Sequence, residues 1–294
     1  MDDRRSLGER SPSEARAELL AAARAFAARR RPADLLAQWA DDPSVRPSHV
    51  DQRRSTRLDA MALDAASEYE ALLLSPVAPL GASSVVAPTS QDRTLTTMRT
   101  TEVVSDPSNV LAVVAASRLR REPRASVRLC TAHQVLRMQA PPPGRGYTKH
   151  FRMFALADAG RGLPSDGFEV AAVIRQLGAH RRLVDAAVAE FGWIADRPTI
   201  VVRTDDRYPA LAERLGSALA EAMPEVAVRT EALSSGYYAG LRVGFGVHGP
   251  VGAHLGLVDL GVHDWVARLT GDDRQRFVAS AMGIQLLPLL APER

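Results

Sequence analysis

The chain has 294 residues, and 46% of them are hydrophobic, which is enough apolar side chain for one large domain with an appendage. Its 37 Lys and Arg against 34 Asp and Glu leave a formal net charge of only +3, so the charge balance gives contact with RNA modest weight. No run of about 18 or more apolar residues occurs and the N-terminus is charged, which argues against a membrane span or a secretory signal and favours the cytoplasm.

Helical spacing of apolar residues predicts three helices at the N-terminus. The first is capped by Ser13 and ends before Pro32, which opens the second. A third helix follows Ser48 and carries its leucines on one face. We therefore divide the chain into an α-helical appendage, residues 1–65, and a core, residues 66–294.

Residues 72–160 change to strand and turn patterns. Apolar and polar residues alternate in SSVVAPTS and in VRLCTAHQVLRM, which predicts strands, and one helix interrupts them at Pro107 to Arg121. The segment APPPGRG is a loop, because its three prolines cannot donate the hydrogen bonds of a strand ladder.

Helices and strands then alternate to the end of the chain. A helix over residues 168–190 comes first, and the strand PTIVVR, the helix DDRYPALAERLGSALAEAM and the strand EVAVRTEAL follow it. Further strands at Tyr237 to Val247 and His254 to Val258 precede a short last helix. The predicted fold class is α+β, a largely antiparallel sheet flanked by helices.

Polar residues flank the proline loop on both sides. Arg137 and Gln139 precede it on one face of a strand, and His150 and Phe154 follow it. A guanidinium can hold a phosphate bidentately, and an aromatic ring can stack on adenine. The hairpin therefore predicts a site for a nucleoside triphosphate, with an ordinary basic hairpin as the alternative.

The same hairpin resembles motif 2 of the class II aminoacyl-tRNA synthetases. That motif is an arginine, a glutamate two residues on, a variable loop, and then Arg or His separated from Phe by three residues; Gln139 stands at the glutamate position. The resemblance implies that Arg137 contacts the α-phosphate of ATP, that Phe154 stacks on adenine and that His150 lies near the γ-phosphate. ATP and Mg²⁺ are the cofactors that it implies.

A tyrosine pair further along the chain also resembles this family. The segment SSGYYAGLRVGF is similar to the tyrosine-pair motif of histidyl-tRNA synthetases, which implies that Tyr237 and Tyr238 line an amino-acid pocket. Asp259 is a candidate carboxylate for the same pocket. Near the C-terminus, SAMGIQLLPLL resembles motif 3, but Leu286 stands where the family has an arginine that clamps the γ-phosphate.

Two segments upstream complete the ordered series. SPVAPLG resembles the strand of motif 1, through which these cores pair, and this implies a homodimer. In MRTTEVVSDP, Thr100, Thr101 and Glu102 resemble the Thr-x-Glu loop that recognises the α-amino group of the substrate, and Arg99 and Asp106 flank this loop. A carboxylate is the natural partner of an ammonium group, although a solvated turn can have the same composition.

The sequence contains no motif typical of a zinc site, a serine hydrolase or a phosphate-binding loop. His248, His254 and His263 have spacings that fit no zinc motif, so we predict no metal site. Neither a nucleophile elbow, G-x-S-x-G, nor a phosphate-binding glycine loop occurs. The single cysteine, Cys130, lies in an apolar strand pattern and receives no chemical role.

Two functions follow from a resemblance that covers residues 65–290. In the first, which we prefer, a stand-alone enzyme binds ATP and an amino acid or related carboxylic acid and forms an acyl-adenylate for a non-standard acceptor. In the second, a non-catalytic paralogue binds an amino acid or a partner as a regulatory subunit. A tRNA partner is possible but not favoured, because no anticodon-binding segment follows the core.

Overall fold

A computed structural model describes residues 6–144, 146–205, 208–250 and 252–292. In these ranges the helices are α1 (Pro12–Ala28), α2 (Pro32–Asp41), α3 (Gln52–Ala65), α4 (Pro107–Arg121), α5 (Gly167–Phe191), α6 (Pro209–Ala222) and α7 (Trp265–Thr270). The strands are β1 (Glu70–Ala71), β2 (Val77–Pro79), β3 (Thr101–Val103), β4 (Val127–Leu136), β5 (His150–Arg161), β6 (Asp196–Thr204), β7 (Ala227–Ala232), β8 (Leu241–His248), β9 (His254–His263) and β10 (Gln275–Gly283).

Eight of the strands form one sheet, in the order β1-β4-β5-β10-β9-β8-β6-β7. The six strands in the middle of this order, β4 through β6, are antiparallel to their neighbours in that group. The edge strands β1 and β7 run parallel to β4 and β6, respectively. Strands β2 and β3 form a separate antiparallel pair. Helices flank the large sheet, so the predicted α+β class is confirmed.

The two faces of the sheet have separate cores. On one face α5 packs over β5, β9 and β10, and the core there contains Phe154 and Leu156. On the other face α4 and α7 pack over the same sheet, and the core contains Ala155, Ala157 and Phe277. Since successive side chains of a strand point to opposite faces, the even-numbered residues of β5 lie under α5 and the odd-numbered ones under α4.

The three N-terminal helices differ in how many of their side chains are buried. Helix α3 packs against α5, and its Leu58 and Ala62 are fully buried. In α1 only Ala15 is buried, and no residue of α2 is. The cap of α1 is Ser11 rather than the predicted Ser13, because the hydroxyl of Ser11 and the carboxylate of Glu14 satisfy each other's backbone N–H groups. The division of the chain at residue 65 stays a prediction.

The strand predicted for SSVVAPTS, residues 83–90, is wrong. Ala82–Val86 instead forms one helical turn, which begins after Gly81 at a left-handed φ of 91°. The carboxylate of Glu102 accepts hydrogen bonds from the backbone N–H groups of Gly81 (2.9 Å) and Ser83 (2.8 Å). These charge-assisted bonds fix the turn and outweigh the alternation of the sequence.

Two predicted features include residues that the structure does not describe. The helix predicted from residue 205 begins at Pro209, and Asp206 and Arg207 lie outside the described residues. Arg145 of the proline loop is also outside them. Within the described residues, the helices are all too short or too polar to cross a membrane.

Candidate functional site

A cleft of about 670 Å³ lies over the middle of the sheet, on the face where α4 packs. Its walls come from β5, β8, β9 and β10, from the N-terminus of α4 and from the loop after β4. A volume of this size fits a small-molecule site. The charged or amide side chains on which its chemistry depends are Arg93, Asp106, Arg137, Gln139, Arg242 and Asp259.

Arg137 is held at the cleft by three contacts. Its Nε donates to the backbone carbonyl of Ser105 (3.0 Å), and its Nη2 lies 3.7 Å from the Asp106 carboxylate. Its guanidinium lies 5.2 Å from the centre of the Phe151 ring. Burial lowers the pKa of Arg137 although Asp106 raises it, and the guanidinium nevertheless stays charged at neutral pH. Arg137 therefore already has a carboxylate partner.

Arg93 brings a second guanidinium to the same part of the cleft. Its backbone carbonyl accepts a hydrogen bond from Met138 (3.0 Å), which ties its turn to the chain beyond β4. Its side chain has no hydrogen bond or ion pair to any described residue. Arg93 belongs to no sequence motif, so the sequence alone does not identify it as a site residue. It is the cation of the described cleft that has no carboxylate partner.

At the cleft, Tyr238 and Arg242 both donate hydrogen bonds to Asp259. Asp259 accepts from the Tyr238 hydroxyl (2.7 Å) and from Nε and Nη2 of Arg242 (2.9 and 3.1 Å). The hydrogen bond to Asp259 raises the pKa of Arg242, and burial together with the Asp259 charge raises that of Tyr238. Asp259 therefore accepts three hydrogen bonds and has one cation beside it.

Aromatic rings complete this end of the cleft. The His263 ring stacks on Trp265 with centroids 3.9 Å apart, and Tyr237 meets both rings edge-on. Burial lowers the pKa of His263 to about 3, so its imidazole is neutral at physiological pH. Gly261 lies against Tyr238, where an added Cβ would be 2.3 Å from the ring. The predicted residues Tyr237 and Tyr238 thus lie in the cleft, where glycine leaves room for them.

Phe154 and His150 do not lie in the cleft, and their predicted contacts with ATP are wrong. The Phe154 ring is fully buried in the core under α5, edge-on to His180 at 5.4 Å. His150 bonds to the carbonyl of Arg46 (2.6 Å) and to the Gln134 amide (3.0 Å) on that same side of the sheet.

The register between β4 and β5 explains this difference. The backbone N–H of Arg137 donates to the carbonyl of Lys149 (2.7 Å), and Val135 is directly opposite Phe151. Opposite residues of antiparallel strands share a face, so Arg137 shares its face with Phe151 and not with Phe154. The aromatic residues of this hairpin that line the cleft are Phe151 on β5 and Tyr147 in the loop before it.

The segment predicted to bind an ammonium group is also outside the cleft. Glu102 is buried and accepts from the Gln91 amide (2.7 Å) as well as from Gly81 and Ser83. Burial raises the pKa of Glu102, but these hydrogen bonds outweigh burial and lower it overall. Arg99 and Thr100 are exposed and do not line the cleft. The role of Glu102 in the structure is to hold the turn that begins at Gly81.

An apolar side chain lines the wall that resembles motif 3. Leu286 is 8% exposed and faces the cleft, and the neighbouring Gln285 donates to Gly146 and Thr148 of the proline loop (both 3.0 Å). Two arginines at the start of β10 do not line the cleft and do not replace the missing cation. Arg274 pairs with Asp272 (2.9 Å), and Arg276 pairs with Glu169 (3.0 Å).

The described cleft does not fit ATP with magnesium. Its lining has three arginines and two aspartates, a net charge of +1, whereas a nucleoside triphosphate carries several negative charges. Asp106 and Asp259 each face an arginine, whose positive charge disfavours a divalent ion such as Mg²⁺ there more strongly than a singly charged group. Among the described residues no group of three metal-ligating side chains occurs.

Comparison with known proteins identifies relatives by structure and not by sequence. No protein-family model and no curated protein matches the sequence. The structure is similar to apo histidyl-tRNA synthetase of S. aureus, with a TM-score of 0.63 and 12% identity over 85% of this chain and 68% of that one. It is also similar to an ATP phosphoribosyltransferase regulatory subunit/histidyl-tRNA synthetase from Bacillus halodurans C, with a TM-score of 0.59 and 13% identity over 83% and 81%.

A third similar structure is ThrRS-1 of Aeropyrum pernix, assigned as a threonyl-tRNA synthetase. The TM-score is 0.61 and the identity is 11%, over 80% of this chain. This chain spans only 58% of that protein. At these identities the likeness shows the fold, which is that of a class II aminoacyl-tRNA synthetase-like core.

Proposed function

We propose that this protein binds an amino acid in the cleft and does not activate it, as a synthetase paralogue with a regulatory role. The observation that carries the proposal is the pairing of charges in the described cleft. Arg137 faces Asp106 and Arg242 faces Asp259, which leaves Arg93 as the cation without a partner. A site that is almost neutral and offers both signs of charge suits a zwitterion better than a polyphosphate.

The two ends of an amino acid find partners in this arrangement. Arg93 can take the carboxylate in a bidentate contact, because its guanidinium is not otherwise engaged. Asp106 or Asp259 can accept from the ammonium group, since a carboxyl side chain has two oxygens that can accept more hydrogen bonds than these residues have now. The aromatic rings of Tyr237 and Trp265 would then cover the side chain.

Activation would need charge that the described residues do not supply. Acyl-adenylate formation depends on cations placed where charge develops on the phosphates, and removal of one such group costs roughly 10²-fold or more in rate. Leu286 stands at one such position, and His150 lies on the opposite face of the sheet.

ATP-dependent ligation, with Mg²⁺ as its metal, is the second candidate function. It is favoured by Arg137 over the Phe151 ring, a cation and an aromatic plate on one wall of the cleft. That arrangement is common at sites where a nucleotide base or phosphate binds.

Thermal unfolding with added ligand separates the two functions. We expect one amino acid or a small group of them to raise the melting temperature, and a ligand at roughly 100 times its Kd contributes about 2.7 kcal/mol. Arg93→Gln should abolish the shift, whereas the control Arg99→Gln, an exposed arginine outside the cleft, should keep it.

Amino-acid-dependent exchange of pyrophosphate into ATP tests activation directly. We expect no exchange with any common amino acid. Exchange that disappears in Arg137→Ala would show that the protein is a ligase and would overturn the non-activating proposal, even if amino-acid binding were confirmed.

A homodimer is part of the same proposal. Exposed apolar side chains surround β2 and β3, the part of the chain that resembles motif 1: Leu73, Leu80, Val85, Leu95 and Met98. A patch of exposed apolar residues of this kind suits a subunit contact. The apolar surface around β2 and β3 is therefore the contact that we propose for the dimer.

A further inference from the structure

Strand β7 is an open edge of the sheet. It pairs with β6 on one side, and no described residue pairs with its other side. All six of its residues, Ala227–Ala232, are exposed. An exposed edge strand presents unpaired N–H and C=O groups that can bind another strand.

One hydrogen bond shows which backbone groups of β7 point outward. The N–H of Leu233 donates to the carbonyl of Thr204 on β6 (2.9 Å). Backbone groups alternate in direction along a strand, so those of Arg229 and Glu231 also point to β6. The N–H and C=O groups of Val228, Thr230 and Ala232 therefore point to the open edge.

The charges on β7 are complementary to those of a second β7. Glu231 pairs with Arg203 on β6 (2.8 Å), whereas Arg229, two residues away on the same face, has no ion pair with any described residue. Two copies of a strand related by a twofold axis are antiparallel, and their outward residues must be opposite each other. That requirement excludes every register that pairs an odd-numbered residue with an even-numbered one.

Among the remaining registers, those centred on residues 229, 230 and 231 differ in the charges that they place together. One register puts Arg229 opposite Arg229 of the second copy, and another puts Glu231 opposite Glu231; like charges directly opposite are unfavourable. The register centred on Thr230 puts Arg229 opposite Glu231 in both halves. It also places Val228 opposite Ala232 and the two Thr230 residues on the axis, where threonine pairs are favourable.

We propose that β7 is an interface between two copies of this chain, joined antiparallel across the sheet edge in the register centred on Thr230. Each Arg229 lies opposite Glu231 of the second copy. Each Glu231 then lies between Arg203 of its own chain and Arg229 of the other chain. This surface lies at the far edge of the sheet from β1 and is separate from the apolar surface around β2 and β3. The proposal does not depend on what the cleft binds.

Cross-linking through Thr230→Cys tests the proposed register. Thr230 and its copy would form a hydrogen-bonded pair with Cα atoms about 5.5 Å apart, within the range for a disulfide. The natural cysteine, Cys130, is fully buried and cannot interfere. We expect mild oxidation or a short bis-maleimide reagent to link most of the folded chains in pairs at micromolar concentration.

A charge reversal distinguishes the proposed contact from random collision. Adding Arg229→Glu to Thr230→Cys places two glutamates opposite each other at both ends of the ladder, and the rate of cross-linking should fall roughly tenfold or more. The matched control adds Arg124→Glu, which changes an exposed arginine near the opposite edge of the sheet and should leave the rate unchanged. A lack of cross-linking would overturn the interface, and equal rates with Arg229→Glu and Arg124→Glu would overturn the register.

Discussion

At the scale of single residues, His263 connects the cleft to the pH dependence of stability. Its ring is buried against Trp265, and its Nδ1 has no hydrogen-bond partner among the described residues. Burial lowers its pKa from 6.5 to about 3. The unfolded chain therefore takes up a proton at this histidine below about pH 6.5, and the folded chain does not take it up until about pH 3.

The folded state should lose stability as the pH falls through that window. One histidine contributes up to about 1.4 kcal/mol per pH unit. We expect urea unfolding near pH 7 and pH 5 to show a smaller loss for His263→Gln than for the unchanged chain. His180, which burial also keeps neutral, is present in both proteins and cancels. Equal pH dependence in the two proteins would contradict the burial of His263.

At the scale of elements, strand β5 places Phe151 and Phe154 on opposite faces of the sheet, so one lines the cleft and the other packs in the core. Phe154→Ala removes a fully buried ring and should cost about 3–5 kcal/mol of unfolding free energy. Phe151→Ala removes a ring that is only partly buried and should cost less, while weakening whatever ligand the cleft binds. Chemical denaturation of both variants, with the thermal-shift ligand added to Phe151→Ala, measures both effects. A larger stability loss for Phe151→Ala would reverse the assignment of faces.

The same hairpin shows how far sequence reasoning reaches. Alternation was enough to place Arg137 and Gln139 together on one face of β4 and its continuation, and both line the cleft. It could not relate them to β5, because the proline loop sets the register between the strands and its geometry cannot be read from composition. The position of Glu102 differs from the predicted one for a related reason: its hydrogen-bond donors on Gly81 and Ser83 belong to a turn that alternation does not predict.

At the scale of the whole molecule, the order of segments was more informative than any one of them. The tyrosine pair, Asp259 and the motif 2 arginine come from distant parts of the chain, and the fold brings them to one cleft. Arg93 joined them without any sequence signal, because only tertiary structure places its turn beside the chain that follows β4. Long-range positions of this kind depend on the complete sheet order, which the sequence did not provide.

The boundary of the N-terminal appendage can be located by truncation. Helices α1 and α2 bury little, so a chain that begins at Ser44 should fold and keep nearly the same melting temperature. A chain that begins at residue 66 also lacks α3, whose Leu58, Met61 and Ala62 fill the core against α5. Burial of one large apolar side chain contributes roughly 1.5–3 kcal/mol, so this second truncation should lose most of the stability of a typical domain.

Circular dichroism melting of the two truncated chains and the complete chain decides where the core begins. A folded chain from residue 66 would support a division at residue 65. Cooperative melting of the chain from Ser44, with loss of the transition in the shorter one, would place α3 in the core. We expect the second result, because the contacts of α3 with α5 continue the packing of the sheet, whereas α1 and α2 lie largely outside it.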